Sequence, residues 1–393
     1  MNDINFDPIA LTQALVRCPS VTPNDNGALQ VTEDHLNSIG FKCTRLPFGE
    51  KDTYEVDNLF ATIGSSGKHI AFAGHTDVVP PGNETSWTHP PFSATILDGK
   101  LFGRGTEDMK GNIACFISAT NSFLKKYGKD FGGKISFIIT GDEEKEAVNG
   151  TIKMMEWTKE KNIKFDHCII GEPTSNKNVG DKLKIGRRGS INFFITIKGI
   201  QGHTANAYRA ENPAHHLIAL LHHIISTPLD KGNKHFLPSS IQIPTFDINN
   251  PAANVIPEIA KATINIRFNN NHTGESLKKW LKNHIDNQFN NVTKATCSFI
   301  TDQTGESFLT EPGELSNLVS SACREINKTD KDPELATDGG TSDARFIKDY
   351  CEILEVGLVN RTLHQVNECV KTEDLNKLHN LYLRILEKYF NKA

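Results

Sequence analysis

The chain lacks any run of apolar residues near the roughly 18 needed to span a bilayer. Its opening residues, MNDINFDPIALTQALV, are acidic where a secretory leader would carry lysines. Absent too is any CxxC pair: the eight cysteines, from Cys18 to Cys369, stand apart, which argues against a thiolate metal site and a secreted disulfide framework. Reduced, buried thiols in a cytoplasmic protein are therefore expected, and Asn-x-Thr triplets such as the one at Asn83 carry no glycosylation meaning. An excess of one charge is also missing. With 43 Lys and Arg against 47 Asp and Glu, the formal charge is -4, so neither nucleic acid nor a membrane is expected as a partner, and a charged ligand must be met by a local cluster. No internal repeat or low-complexity tract interrupts the pattern.

What is present is an ordinary globular composition, 37% hydrophobic and 23% charged, over 393 residues. That is enough for two cores. The first half alternates helical patterns with short apolar runs: a helix capped by Asp7 and opened by Pro8, the run HIAFA, a helix after Asp108 with Ile113, Phe116, Ile117, Thr120, Phe123 and Leu124 on one face, then ISFIIT and HCIIG. Such alternation points to an α/β layer with a mixed, largely parallel sheet flanked by helices. Near Lys184 the period changes to two, with Ile191, Phe193, Ile195 and Ile197 alternating with polar neighbours. A helix from Asn212 to Ile225, the runs SSIQIPTF and ATINIRF, a helix around Leu277 to Ile285 and a strand near Ala295 to Ile300 complete a β-α-β-β-α-β order. That order is ferredoxin-like, and it predicts an inserted domain over 184–300 within a discontinuous catalytic domain of 1–183 and 301–393. A helix from Leu315 to Ile326, the run EILEVGL and a closing helix from Thr372 to Tyr389 follow.

The acidic and imidazole side chains sit where those apolar runs end. His75 and Asp77 follow HIAFAG, Glu143 and Glu144 follow ISFIITGD, Glu172 follows CIIG, and His364 lies shortly beyond EILEVGL. Open α/β sheets bind ligands at the carboxyl ends of their strands, and Asp108 would join from a helix start. Two histidines with several carboxylates and no thiolate suit zinc, cobalt or manganese. Five ligands exceed one four-coordinate ion, and a carboxylate bridging two ions resolves the count. Taken singly, each residue has a plainer role: His-x-Asp as a hydrogen-bonded pair, Glu143 and Glu144 as turn residues, Asp108 as a helix cap. Their recurrence at successive strand ends favours the metal, because like charges brought together repel without a cation.

The segments GHTDVVPPG, WTHPPFSATILDGKLFGRGTEDMKG, GDEE and IIGEPTS resemble the signature of the co-catalytic zinc peptidase and deacylase superfamily. GRRGS from Gly186, GGTSDARF from Gly339 and LHQVNECV from Leu363 are similar to its desuccinylase branch, which serves lysine and diaminopimelate synthesis. The resemblance implies two divalent ions, zinc first and cobalt as an alternative. His75 and Glu172 would hold one, Glu144 and His364 the other, and Asp108 would bridge them. Asp77 would orient His75, and Glu143 would act as general base and acid. The inserted domain would dimerise, His203 reaching the partner's site to stabilise an oxyanion. Arg187, Arg188, Ser190, Asn254, Arg267, Gly340 and Thr341 match substrate-binding segments for an N-succinyl diamino acid with three carboxylates. An acetylornithine deacetylase-like deacylase or a dipeptidase is the alternative of the same chemistry, and an inactive metal-binding scaffold the alternative of another class.

Two departures from the branch stand out: Thr204 to Tyr208 replaces an Ala-x-Pro-His sequence after His203, and Ala253 replaces an asparagine before Asn254. The paired histidines 215, 216, 222 and 223 lack carboxylate partners in sequence and read as a surface or interface face.

Overall fold

The computed structural model describes residues 4–290 and 293–392. The chain forms two compact units: one comprises the segment up to Ile185, Thr310–Ala336 and the segment from Ser342; the other comprises Gly186–Leu309 with Thr337–Thr341.

The first unit is built on an eight-stranded sheet. Its four central strands, in spatial order Gly133–Thr140, Lys68–His75, His167–Ile170 and Glu352–Glu355, are all parallel. They are nearly unbroken apolar runs because both faces are covered: Ile70, Phe72, Phe137, Ile139, Cys168 and Ile169 are all buried. Leu59–Gly64 and Lys42–Arg45 add antiparallel strands at one side. At the other, Lys182–Lys184 meets Glu352–Glu355 antiparallel, and Glu334–Ala336 runs parallel to Lys182–Lys184. The sheet is therefore mixed, and parallel where the candidate residues emerge.

The helix Lys110–Tyr127 packs against the closing helix Thr372–Tyr389 and against the sheet. Phe116 stacks on Phe72 with ring centres 4.3 Å apart and meets Tyr382 edge-on at 5.1 Å; aromatic pairs of this kind contribute about 0.5–1.5 kcal/mol beyond burial. The Tyr382 hydroxyl donates to the Val356 carbonyl at 2.7 Å, so the closing helix holds the start of the loop that leads to His364.

The second unit runs strand Gly189–Lys198, helix Pro213–Ile225, strands Ser240–Asp247 and Ile259–Phe268, helix Gly274–Phe289 and strand Thr296–Gly305. Its antiparallel sheet has the spatial order Ser240–Asp247, Ile259–Phe268, Gly189–Lys198, Thr296–Gly305. Ile191, Phe193, Ile195 and Ile197 point to one face and pack with Leu217, Leu221, Leu277 and Leu281 of the helices. Each such buried side chain is worth about 1.5–3 kcal/mol. On the opposite face Phe194 and its cross-strand partner Ile300 remain exposed. The unit extends past the 184–300 read from the sequence, because the last strand continues to Gly305, Phe308–Leu309 pairs with Gly186–Arg187, and residues 337–341 return to it.

Candidate metal centre

The four parallel central strands end on one side of the sheet, and each delivers a candidate residue: Lys68–His75 ends at His75, Gly133–Thr140 precedes Glu143 and Glu144, His167–Ile170 precedes Glu172, and Glu352–Glu355 leads into the loop bearing His364. Asp108 lies just before helix Lys110–Tyr127, at a cis peptide with Met109. His364 has φ +60, a left-handed backbone that costs about 1–3 kcal/mol and persists only where its surroundings enforce it.

Asp108 sits between two histidines. Its Oδ1 is 3.2 Å from His75 Nε2, and its Oδ2 is 3.1 Å from His364 Nε2. His364 Nε2 is also 3.1 Å from Glu144 Oε1, and the ligand atoms of His75, Asp108 and Glu144 lie within 4.8 Å of one another. Two atoms bound to one tetrahedral ion by bonds of about 2.0–2.1 Å stand about 3.3 Å apart, so these spacings suit shared cations. His75 Nδ1 lies 3.0 Å from the Asp77 carbonyl oxygen. That oxygen only accepts, so Nδ1 carries a proton and Nε2 faces Asp108. His75 Nε2 and Asp108 Oδ1 are both buried without a hydrogen-bond partner. Either a second proton on the ring or a cation must relieve the facing lone pairs, and the donor set fits the cation. Glu172 Oε1 and Glu143 Oε2 lie 3.8 and 3.9 Å from His75 Nε2.

The Asp77 carbonyl is the nearer partner of His75, its carboxylate Oδ1 being 3.5 Å from Nδ1. That carboxylate instead accepts from the backbone N–H groups of Glu143 and Glu144, each at 3.1 Å to Oδ2, and from the Thr22 hydroxyl at 2.7 Å. Asp77 thus locks the segment carrying both glutamates to the strand carrying His75.

The electrostatics match a site that needs positive charge. Burial pushes the His75 imidazolium down, but Asp108 and Asp77 outweigh it and hold its pKa well above the ordinary value. Asp108 and Glu144 raise His364 to about 10. Burial would raise Asp108, yet His364 and His75 keep it well below the usual carboxylate range. Burial raises Glu143 well above it, opposed by His75 and reinforced by Glu172 and Asp343. Burial also raises Glu144, with Asp108 adding to it.

The remaining candidates fall into two groups. Arg187, Arg188, Ser190, Arg267, Gly340 and Thr341 all belong to the second unit. Arg187 Nη1 donates to the Gly340 carbonyl at 3.0 Å, Ser190 pairs across strands with Arg267, and Arg188 lies close enough to Arg267 to lower its pKa after burial has done so. Like-charged guanidiniums brought together suit an anion, and Arg188 Nε is buried without a partner. His203 and Asn254 form the other group: Gly202–His203 pairs with Val255–Ile256, and the Asn254 carbonyl accepts from Thr204 N at 3.0 Å. The departing segment Thr204–Arg209 is a short 3-10 turn whose Tyr208 is 77% exposed; Ala253 is exposed as well. Of the paired histidines, expected to lack carboxylate partners, His215, His222 and His223 are exposed, but His216 has one: its Nε2 lies 2.5 Å from Glu211 Oε1, brought to it across the start of the helix.

Sequence reasoning overlooked Thr22, which reaches Asp77, and the buried Arg104, Glu107 and Glu368 beside Asp108. Glu368 lies within LHQVNECV, yet nothing in spacing distinguishes it from a loop residue.

The profile of peptidase family M20/M25/M40 matches residues 71–388. A succinyl-diaminopimelate desuccinylase from Methylorubrum populi is 48% identical over 384 residues, covering 98% of this chain and 98% of that one. Among solved structures, a tripeptidase from Staphylococcus aureus aligns with a TM-score of 0.77 at 16% identity over 99% of each chain. A dinuclear metal binding peptidase of the M20 family from Bacillus subtilis aligns with a TM-score of 0.69 at 15% identity over 98% of each chain. Among the described residues, no helix is long and apolar enough to cross a membrane.

Proposed function

This chain belongs to peptidase family M20/M25/M40, and on that premise we propose that it is a metal-dependent amidohydrolase that cleaves N-succinyl-LL-2,6-diaminopimelate to succinate and LL-2,6-diaminopimelate. The observation that carries the reading is Asp108, whose two carboxylate oxygens each face a different histidine at 3.2 and 3.1 Å. The substrate assignment follows the 48% identical relative that bears the desuccinylase name. That all eight cysteines are free accords with a reducing, cytoplasmic setting.

His75, Asp108 and Glu172 would hold one divalent ion and Asp108, Glu144 and His364 the second, zinc foremost and cobalt as the alternative. Bound there, such a pair supplies an acidified water and a polarised amide carbonyl. Glu143, outside the ligand set, takes the proton of the attacking water and returns it to the departing nitrogen. Its backbone N–H, fixed by Asp77 at 3.1 Å, keeps the carboxylate at the ligand cluster. His203 Nδ1 accepts from the Ala205 N–H at 3.0 Å, so the proton resides on Nε2, the atom free to donate to an oxyanion. By the family likeness it serves the site of a second copy, which makes the functional unit a homodimer formed through the inserted βαββαβ unit. Arg187, Arg188, Ser190, Asn254, Arg267, Gly340 and Thr341 would receive the substrate's carboxylates, guanidinium forks being suited to them.

A side-by-side rate comparison tests the assignment. Turnover of the N-succinyl compound should exceed that of N-acetylornithine and of a dipeptide; faster cleavage of either of those overturns the substrate while leaving the chemistry.

A further inference from the structure

The turn carrying Asp108 and the loop carrying His364 are tied together by three side chains, two of which reach in opposite directions. Glu368, four residues beyond His364, is buried and turns back: its Oε1 accepts from the backbone N–H groups of Gly105, Glu107 and Asp108 at 3.1, 2.9 and 3.3 Å. Glu107, directly before Asp108, is equally buried and reaches the other way, its carboxylate accepting from the N–H groups of Arg361 at 3.2 Å and Thr362 at 2.7 Å. Arg104, four residues before Asp108, reaches from the turn to the loop. Its Nη1 donates to Glu368 Oε2 at 2.6 Å and to the Gln365 carbonyl at 3.4 Å, and its Nη2 donates to the carbonyls of His364 at 3.3 Å and Pro80 at 3.5 Å. The guanidinium is packed over the Trp87 ring, 5.4 Å from its centre.

Two buried acids and one buried cation are a costly way to join a turn to a loop, since apolar side chains of similar volume often serve stability as well or better. What apolar side chains cannot do is fix hydrogen-bonded backbone on both sides of one contact, and that contact is the 3.1 Å approach of His364 Nε2 to Asp108 Oδ2. We propose that Arg104, Glu107 and Glu368 are positioning residues that hold the Asp108 turn against the His364 loop and thereby set the affinity of the second divalent-cation site, the one completed by Glu144 and His364. The inference rests on the metal reading above and assigns these three residues no contact with substrate.

The test uses the full-length protein stripped of metal and titrated with zinc alone against a chromogenic chelator, in the parent, Arg104→Lys and Glu368→Gln. The first equivalent should bind as in the parent and the second about 10–100-fold more weakly, the range found when groups orienting metal ligands are removed. Raising free zinc should then restore kcat with KM unchanged, which a general loosening of the fold would not allow. Should Glu368→Gln fail to fold by circular dichroism, Arg104→Lys decides, because it keeps a cation facing Glu368 and loses only the forked contacts to the loop. Parent-like binding of both equivalents in Arg104→Lys, or equal weakening of both, overturns the inference. A parent chain that binds no zinc overturns the metal reading itself, and so the two failures are distinguishable.

Discussion

Replacing Glu143 with glutamine keeps the side-chain volume and removes the group that can accept a proton. The backbone there is pinned independently of the carboxylate, its N–H reaching Asp77 Oδ1 at 3.2 Å and Oδ2 at 3.1 Å, so the segment should stay in place. The 3.1–3.2 Å contacts among Asp108, His75, His364 and Glu144 leave out the Glu143 side chain, whose Oε2 stands farther off at 3.9 Å from His75 Nε2, so metal content should be unchanged. General acid–base catalysis contributes about 10²–10⁴-fold, which is about 2.7–5.4 kcal/mol of barrier at roughly 1.36 kcal/mol per tenfold. Glu143→Gln should therefore lower kcat by about that factor and leave KM near the parent value. The assay is succinate release from the N-succinyl substrate, with zinc measured by elemental analysis on the same sample. A kcat within tenfold of the parent at full metal content would refute the role of base, and loss of one ion would make Glu143 a ligand instead.

Other outcomes follow from the same geometry. His364, raised to about 10 by Asp108 and Glu144, is protonated at neutral pH when no ion is bound, and Asp108 and Asp77 draw His75 in the same direction against its burial. Metal must displace the His364 proton, so affinity should fall as pH drops below about 10, and the binding enthalpy at pH 7 should differ between phosphate and Tris buffers; identical enthalpies would contradict this. His203→Ala should cost about 10²–10³-fold in kcat, the usual effect of losing one oxyanion donor, with sedimentation behaviour unchanged from the parent; an unchanged rate removes the role. Tyr382→Phe strands the buried Val356 carbonyl and should lower stability by about 1–3 kcal/mol in urea unfolding. Leu281→Ala, opening a cavity beneath the second unit's sheet, should cost about 2–5 kcal/mol in the same measurement.

The strands that carry the candidate residues were legible because strand ends announce themselves. HIAFAG, ISFIITGD and CIIG are apolar runs stopped by glycine and acid, and the structure places them as adjacent parallel strands. Helix limits were legible where caps exist, as at Asp7, whose carboxylate accepts from Ile9 N and Ala10 N, and at Asn212, which accepts from Ala214 N. Strands Lys182–Lys184 and Glu334–Ala336 were not, being three residues long and rich in charge, with a place in the sheet granted only by neighbours distant in sequence. The partners of Asp77 were illegible for a related reason. Histidine orientation is read as a side-chain task, and here the backbone carbonyl lies closer to His75 than the carboxylate does. Arg104, Glu107 and Glu368 escaped because a buried charge network has no periodicity; only the folded chain brings residues 104 and 368 together.

Whether two cations share Asp108 can be read from anomalous diffraction at the zinc edge from crystals of the zinc-loaded protein. Two peaks are predicted, one among His75, Asp108 and Glu172 and one among Asp108, Glu144 and His364. Density at neither place, or zinc bound only at the exposed histidines 215, 222 and 223, would contradict such sharing.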